Sequence, residues 1–412
     1  MSTSTWLNDK RLRAHALLLG LTMWSIYVWM LTTPSLRDRY GNLKGTDFLH
    51  FYTLGCVAAE HRGSDLYAMN AQAAVASQRV PAAAGIRYLP LYPPQVSIFF
   101  APISWMSYGW ALAAWWIVSA LIYALCCHVV WNLCPALQSH RTTILIAAIA
   151  FPPFFHLIAW GQTSALAVAC FTAIFLCLQK QRKFLAGVAL GCLIFKPQLA
   201  LVAGVVFLAT GAWKILIGSA LSATAQLSVG ILYYGMQPLR HWFETLWRVR
   251  SLLPLLEPRT YQTHCLRTFW TMLIPWPDVA VVAYAISAIV VLVLTIAVWK
   301  RTAMPLSLRY SMLLLATVLV SPHLTVYDLV ILAPALLLTA NWLVQQPLTP
   351  HTRLMASLLY LVYALPLAGP VAQWTHLQLS VIAMTALMYL IYREASNRNL
   401  SASGKRFAHA DS

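Results

Sequence analysis

Asp47 is the residue of this chain whose type and position most strongly suggest chemistry. It lies in GTDFLHFY, in the loop after the first hydrophobic segment, in a chain of which only 9% of the residues are charged. Carboxylates are frequent general bases in enzymes, so Asp47 is a candidate for taking a proton from a reacting group. Two other interpretations remain open, because the residue could be a solvated loop acid or the N-cap of the helix that follows. Asp65, in RGSDLY, is a weaker rival that is more readily explained as a helix cap.

Lys196, in GCLIFKPQLA, is a lysine within an apolar segment. A charged side chain there is unfavourable unless it reaches water or an anion. Pro197 breaks the helix beside it, and the amide end of the following helix favours anions. A lipid phosphate would suit such a site, whereas the alternative is a lysine that extends to ordinary lipid headgroups.

His323 and Asp328 lie in SPHLTVYD, where Ser321 and Pro322 interrupt two apolar segments. A histidine near a membrane surface can bind phosphate or relay a proton, although a structural histidine is an equally good interpretation. Asp328 falls in the first turn of the next helix, where a carboxylate complements the helix dipole. The sequence therefore predicts helix capping for Asp328 and leaves two roles open for His323.

Two further polar segments accompany these residues. Gln162 follows Gly161 in AWGQTSA, a tight turn whose amide could hydrogen-bond a hydroxyl group or serve the turn alone. The loop sequence EPRTYQTHCLRTFW contains Arg259, His264 and Arg267. This concentration of cationic groups suggests an anionic ligand, although anionic headgroups would explain it equally well.

The elements that must position these residues are membrane helices. The chain has 412 residues, 60% of them hydrophobic, with a mean hydropathy of +0.67. Its apolar runs of about 20 residues match the length of a helix that crosses a bilayer, so the predicted fold class is all-α. The net charge of +17 comes from basic residues that fall mainly at predicted helix ends, so we reject a nucleic-acid partner. The eight cysteines lack the paired spacing of a zinc or redox site.

The basic clusters set the predicted topology, with both termini in the cytoplasm. The fixed points are Lys10 with its neighbours, the KQRK cluster at 180–183, Lys300 with Arg301, and the tail at 393–412. Twelve helices connect them, near 14–33, 109–133, 142–160, 163–179, 184–195, 198–212, 214–235, 278–299, 306–320, 324–345, 353–369 and 374–392. We treat 1–412 as a single integral membrane domain, with large outer loops at 34–108 and 236–277.

The first outer loop is predicted to contain interfacial helices. DFLHFYTLGCVAAEH has apolar residues at helical spacing and suits an amphipathic helix on the membrane surface, and a second short helix is predicted from Ser64 to Gln78. The run from Tyr92 to Met106 is only about 15 residues long and contains an internal proline, so we predict that it does not cross the membrane.

The order of these motifs resembles a known family. GTDF, YPP, the GQ turn, KP within a broken helix and SPH followed by YD are similar to glycosyltransferase family 87 of the GT-C superfamily, over about Leu18 to Leu343. That family includes polyprenyl-phosphate-mannose-dependent α-mannosyltransferases. It tends to have a hydrophobic residue after the two prolines of YPP, where this chain has Gln95.

The resemblance implies a role for each matching residue. Asp47 matches the acid that serves as catalytic base, and His323 matches a histidine expected near the donor phosphate or the reacting sugar. Lys196 matches a recurring position, and we group it with Arg259, His264 and Arg267 as candidates for binding the donor phosphate. The candidates for contacts with the sugar or the acceptor are Gln162, Tyr92, Asp65 and Asp328.

The resemblance implies an inverting transfer of a hexose, by default mannose, from a polyprenyl-phosphate-linked donor to a lipid or glycan acceptor. A departing lipid phosphate needs no carboxylic acid to protonate it, so one base suffices. No cofactor is expected, and because we find no DxD pair we expect no metal. The expected location is the bacterial inner membrane, with the site on the periplasmic or exterior side and membrane lipids as neighbours.

Two other functions stay open at this point. A transporter or flippase for a lipid-linked sugar would also need many helices and interfacial cations, and it predicts charged residues near the membrane midplane. A membrane scaffold without activity predicts that Asp47 can become asparagine without consequence.

Overall fold

The structure is a computed structural model that describes residues 8–408. Residues 1–7, which belong to the predicted cytoplasmic N-terminus, lie outside the described residues. Those that are described form helices joined by turns, with two isolated β-bridges and no strand. The predicted all-α class is confirmed.

Six helices are long and apolar enough to cross a membrane. They are Asp9–Leu31, Tyr108–Asn132, Trp213–Tyr234, Pro277–Lys300, Val326–Val344 and Pro350–Thr375. The pair Pro135–Ile149 and Pro152–Trp160 is bent by 42° and would make a seventh span if it is counted as one. The bend coincides with two consecutive prolines, which cannot continue the hydrogen bonding of the preceding helix. Several of these helices expose apolar side chains, as expected where lipid surrounds the protein.

The twelve predicted crossings are not confirmed. Five of the apolar helices have only 10 to 17 residues: Phe48–Ala59, Ser164–Gln179, Lys183–Phe195, Pro197–Ala209 and Leu306–Val320. A crossing needs about 20 residues. Their apolar character reflects burial as well as membrane contact, since every residue from Tyr310 to Val320 is buried in the protein. Hydropathy alone does not separate these two causes.

The remaining helices are shorter, with one exception. They are Gly63–Tyr67, Met69–Arg79, Pro81–Ala83, Gln95–Phe100, Ala101–Trp105, Met236–Trp247, Val249–Leu256, Thr260–Gln262, Leu266–Leu273 and Leu379–Ala408. The segment from Tyr92 to Met106 is not among the candidate spans, as predicted. The last helix continues well beyond the predicted end at residue 392, into the predicted tail.

The helix Phe48–Ala59 is a buried helix, and the prediction that it lies on the membrane surface is wrong. All its residues from Phe48 to Ala58 are buried. It packs against Gln95–Phe100 and Ala101–Trp105, and a Cβ atom at Gly55 would overlap the backbone carbonyl of Phe100. The polar residues that suggested an amphipathic helix, among them His50, therefore face protein.

Candidate active site

Asp47 directly precedes the helix Phe48–Ala59 but does not cap it. Its backbone is helical, with φ −73° and ψ −24°, and its side chain makes no capping hydrogen bond. Instead Oδ2 accepts a hydrogen bond from Nε2 of Gln162 at 2.8 Å. Asp47 thus occupies the N-cap position without a capping bond from its side chain, and the carboxylate is held by a residue 115 positions away in the chain.

The turn at Gly161 places Gln162 beside Asp47. Gly161 has φ +70°, and a Cβ atom there would lie 2.6 Å from Cβ of Phe48. Glycine is thus favoured both by the backbone and by the close packing. Nε1 of Trp115 donates to the carbonyl groups of Gly161 and Gln162, at 3.1 and 3.3 Å. Because the backbone N–H of Thr163 donates to Oε1 of Gln162 at 3.2 Å, the amide group presents its Nε2 to Asp47.

Charged groups from two other segments act on Asp47. Burial raises the pKa of Asp47 to about 6, and the negative charge of Asp328 contributes in the same direction. The hydrogen bond from Gln162 and the positive charge of Lys196 lower the pKa and so limit the rise. The side chain nevertheless remains partly exposed. A carboxylate that is accessible and has a raised pKa is a stronger base than an ordinary one and is still largely ionised at neutral pH.

Lys196 is buried in an ion pair. Its Nζ donates to Oδ1 of Asp328 at 2.7 Å and to Oγ of Ser164 at 3.0 Å, and the Ser164 hydroxyl donates to the same Asp328 oxygen at 2.5 Å. Nζ also lies 5.1 Å from the ring centre of Tyr327. Lys196 is only 4% exposed, so the interpretation that it extends to ordinary headgroups is wrong.

Asp328 caps its own helix turn as well as pairing with Lys196. Thr325 and Asp328 form a capping box at the start of the helix Val326–Leu332. The predicted capping role is confirmed. The ion pair with Lys196 joins residues 132 positions apart, which no local pattern indicates.

Tyr92 joins this group from a third segment. Its ring lies 5.7 Å from the ring of His50, and its backbone carbonyl accepts a hydrogen bond from the Tyr67 hydroxyl at 2.9 Å. Burial raises the pKa of Tyr92, and the charge of Lys196 lowers it. We call Asp47, Gln162, Tyr92, Lys196 and Asp328 the Asp47 cluster.

His323 belongs to a second group, the Glu257 cluster, which consists of Glu257, Arg267 and His323. Nδ1 of His323 donates to Oε1 of Glu257 at 2.6 Å. Arg267 donates to the same oxygen and also to the carbonyl of Pro322. Burial acts to raise the pKa of Glu257, but His323 and Arg267 reverse the effect, so its pKa lies below the usual value. Glu257 is therefore an ionised carboxylate that holds the Arg267 guanidinium and the His323 imidazole in place.

His264 ties the 257–265 loop to the SPH segment. Its backbone N–H donates to the carbonyl of Leu324 at 3.0 Å, beside a β-bridge between Thr263 and Thr325. Its Nδ1 is hydrogen bonded to Oγ of Ser380 at 2.7 Å, and burial lowers the pKa of His264 to about 3. A neutral, buried imidazole lacks the charge for which His264 was grouped with the phosphate-binding candidates.

Two predicted residues lie in other surroundings. Arg259 is exposed on its loop. Asp65 lies within the helix Gly63–Tyr67, pairs with Arg62 at 2.6 Å and makes no capping bond with its side chain, so its predicted capping role is not confirmed. The structure does not place either residue in the Asp47 cluster.

Sequence reasoning missed Glu257 itself and two residues that contact Lys196, Ser164 and Tyr327. Glu257 carried a usable signal, because it is one of only 11 acidic residues and stands beside the cationic loop. Ser164 and Tyr327 are ordinary helix residues, and only their neighbours in space reveal them. Within the part of the chain that is described, no three His, Cys, Asp or Glu side chains are grouped as metal ligands.

We expect Glu257→Gln to reduce stability. The neutral amide leaves Arg267 without its counter-charge and gives His323 a weaker acceptor, and losing a buried charged hydrogen bond costs about 1 to 3 kcal/mol. The measurement is the free energy of unfolding in detergent. Glu60→Gln is the matched control, because Glu60 pairs with Arg62 and Arg79 at a more exposed position and should change stability by less than about 1 kcal/mol. Equal effects of the two variants would contradict the assigned role of Glu257.

The comparisons with known proteins give one match. The model described as glycosyltransferase family 87 matches residues 91–322, which is more than half of the chain. This region includes Gln162, Lys196 and Glu257 and ends at Pro322, just before His323. No curated protein and no solved structure matches.

Proposed function

Because the chain belongs to glycosyltransferase family 87, we propose that it moves a hexose, by default mannose, from a polyprenyl-phosphate donor to a lipid or glycan acceptor. Asp47 is the general base of this reaction. The observation that carries the proposal is the convergence of Gln162 and the Lys196–Asp328 pair on one partly exposed carboxylate.

The reaction that this arrangement supports is a direct displacement with inversion. An acceptor hydroxyl forms a bond to the anomeric carbon, its proton goes to Asp47, and the bond from that carbon to the phosphate oxygen breaks. Gln162 keeps the carboxylate oriented through its hydrogen bond to Oδ2. The phosphate leaves as an anion, so no second carboxylic acid is required.

The leaving phosphate needs positive charge, and we propose that the His323 imidazole supplies it when it is protonated. Its side chain is partly exposed, and its Nδ1 is fixed on Glu257, which leaves Nε2 for a ligand. Arg267 is bound to the same carboxylate, so we propose that it contributes through the local field. The charge of Lys196 is neutralised by Asp328. We propose that this ion pair fixes the segments that carry the two residues, and that Lys196 attracts the donor phosphate electrostatically.

The proposed site faces the outer side of the inner membrane, with both termini in the cytoplasm. Asp47 follows the C-terminal end of the span Asp9–Leu31, and basic residues lie at the start of that span. Because basic residues favour the cytoplasmic side, the basic residues at the start of this span support the proposal that Asp47 lies on the opposite face. A lipid-linked donor would reach such a site within the bilayer.

We expect the rate to fall at acidic pH. The base must be ionised, and the pKa of Asp47 is about 6, so kcat/KM should be constant above about pH 7 and fall about tenfold per pH unit well below pH 6. The measurement is the pH profile of the initial rate, with the unfolding midpoint recorded at each pH. A profile that is flat from pH 5 to 7 in folded protein would contradict the assignment.

Transfer of radiolabelled mannose tests the activity itself. Purified protein is incubated with polyprenyl-phosphate-[³H]mannose and membrane lipids or glycans as acceptors. Labelled product supports the transferase, whereas labelled donor that crosses proteoliposomes unchanged would support a flippase. Other polyprenyl-phosphate sugars, tested in parallel, determine whether mannose is the right sugar.

A further inference from the structure

His50 is a buried histidine whose ring nitrogens have no hydrogen-bond partner. It lies three residues after Asp47, in the first turn of the helix Phe48–Ala59. It is 4% exposed, and neither Nδ1 nor Nε2 is hydrogen bonded. The large majority of buried polar side chains in folded proteins are satisfied, so two unpartnered nitrogens call for a physical explanation.

The surroundings of His50 are aromatic. Its ring lies 5.1 Å from that of Tyr88 and 5.7 Å from that of Tyr92. His50 and Tyr92 line a narrow crevice together with Tyr67 and Pro93. The crevice has no room for a water molecule in this structure, so a solvent partner does not explain the histidine. Flat aromatic walls with a polar group between them suit a ligand that has both apolar faces and hydroxyl groups.

Thr163 is a second buried polar group in the same region. It is 1% exposed, and its Oγ1 has no well-formed hydrogen bond. It lies close enough to Tyr92 to lower the pKa of the phenol, and it follows Gln162, which holds Asp47. His50 and Thr163, two buried polar side chains, therefore converge on Tyr92 from two different segments.

The protonation of His50 indicates the kind of ligand. His50 lies on the helix Phe48–Ala59, which is too short to cross a membrane. Burial lowers the pKa of His50 to about 4. The ring is thus neutral at physiological pH, with one nitrogen that donates and one that accepts. A hydroxyl group can do both in return, whereas a phosphate offers only acceptors and would favour a cation.

We propose that His50, Thr163 and the Tyr92 ring form the subsite for the hydroxyl groups of a sugar ring held beside Asp47. This inference rests on the proposed function. The sugar is either the one transferred from the donor or the one that accepts it, since both present the same hydroxyl chemistry. Because the crevice has no room even for a water molecule, the proposal requires the Tyr92 ring to move aside when a sugar binds.

The test is direct binding, which does not depend on turnover. We would measure equilibrium binding of a short-chain polyprenyl-phosphate mannose and, separately, of octyl α-mannoside to detergent-purified wild type, His50→Leu and His50→Gln. We expect His50→Leu to weaken binding of one sugar about tenfold, the typical effect of losing one hydrogen bond, and His50→Gln to retain part of the affinity. Weaker donor binding identifies the transferred sugar, and weaker mannoside binding identifies the acceptor sugar.

Thermal unfolding distinguishes a histidine that binds a ligand from one that only stabilises the fold. His50→Leu removes two unpartnered nitrogens, so we expect its unfolding midpoint to equal or exceed that of wild type while binding weakens. Thr172→Val is the matched control, because Thr172 is also buried with an unpartnered hydroxyl but lies further along the helix Ser164–Gln179. It should leave binding of both sugars unchanged.

Several results would overturn the subsite. They are unchanged binding of both sugars to folded His50→Leu, a lower midpoint for that variant, or no binding of either sugar to wild type. Wild type that binds sugar but transfers none would instead refute the proposed function, and the His50 comparison would still decide the subsite.

Discussion

Asp47→Asn is expected to lower kcat about 10²- to 10⁴-fold, the range that general bases contribute. Asparagine keeps the shape of the side chain and can still accept a hydrogen bond from Gln162, but it cannot take the proton of the acceptor hydroxyl. Donor binding and the unfolding midpoint should therefore change little. The measurement is initial-rate kinetics with radiolabelled donor, together with equilibrium donor binding by the same preparations.

Asp38→Asn is the matched control for this variant. Asp38 lies in the same loop, and its Oδ1 accepts hydrogen bonds from the backbone N–H groups of Tyr40 and Asn42, both at 2.9 Å. Asparagine can accept these bonds equally well, so activity should stay close to wild type. If Asp47→Asn turned over as fast as Asp38→Asn, Asp47 would not be the general base. Its carboxylate would then have a structural role only.

Lys196→Met is expected to destabilise the protein by about 3 to 5 kcal/mol, because it leaves the Asp328 carboxylate buried without its counter-charge. The side chains of Lys196 and Asp328 are only 5% and 3% exposed, so water cannot replace the ammonium group. The same variant should weaken donor binding and turnover, since the charge of Lys196 acts on Asp47. The measurement is the free energy of unfolding in denaturant, with transfer assayed below the transition.

The double variant Lys196→Met/Asp328→Asn separates the two effects. Removing both charges should restore much of the stability, since coupled residues are not additive. Transfer should remain impaired if Lys196 also serves the reaction. Lys214→Met, at an exposed position, controls for loss of a lysine as such. A Lys196→Met protein as stable as Lys214→Met would contradict the buried pair.

The sequence by itself determined the helical class and the principal candidate residues. Apolar runs and basic ends follow from the physics of a bilayer, so the all-α fold can be predicted without tertiary contacts. Asp47 stands out because acids are rare, and the order of the short motifs leads to the family that the comparison also finds. Capping by Asp328 is equally local, because Thr325 and Asp328 are only three residues apart.

The tertiary structure decided which of these residues act together. Gln162 holds Asp47 across 115 positions, Asp328 neutralises Lys196 across 132, and Glu257 binds His323 across 66. Two side chains that are separated by so many positions along the chain leave no periodic pattern in the sequence. Which apolar helices are enclosed by protein was decided there as well, because hydropathy gives the same signal for a helix in lipid and for one such as Leu306–Val320, most of whose residues are buried. Burial is a property of the packed chain, and it sets both the charge state of His50 and the basicity of Asp47.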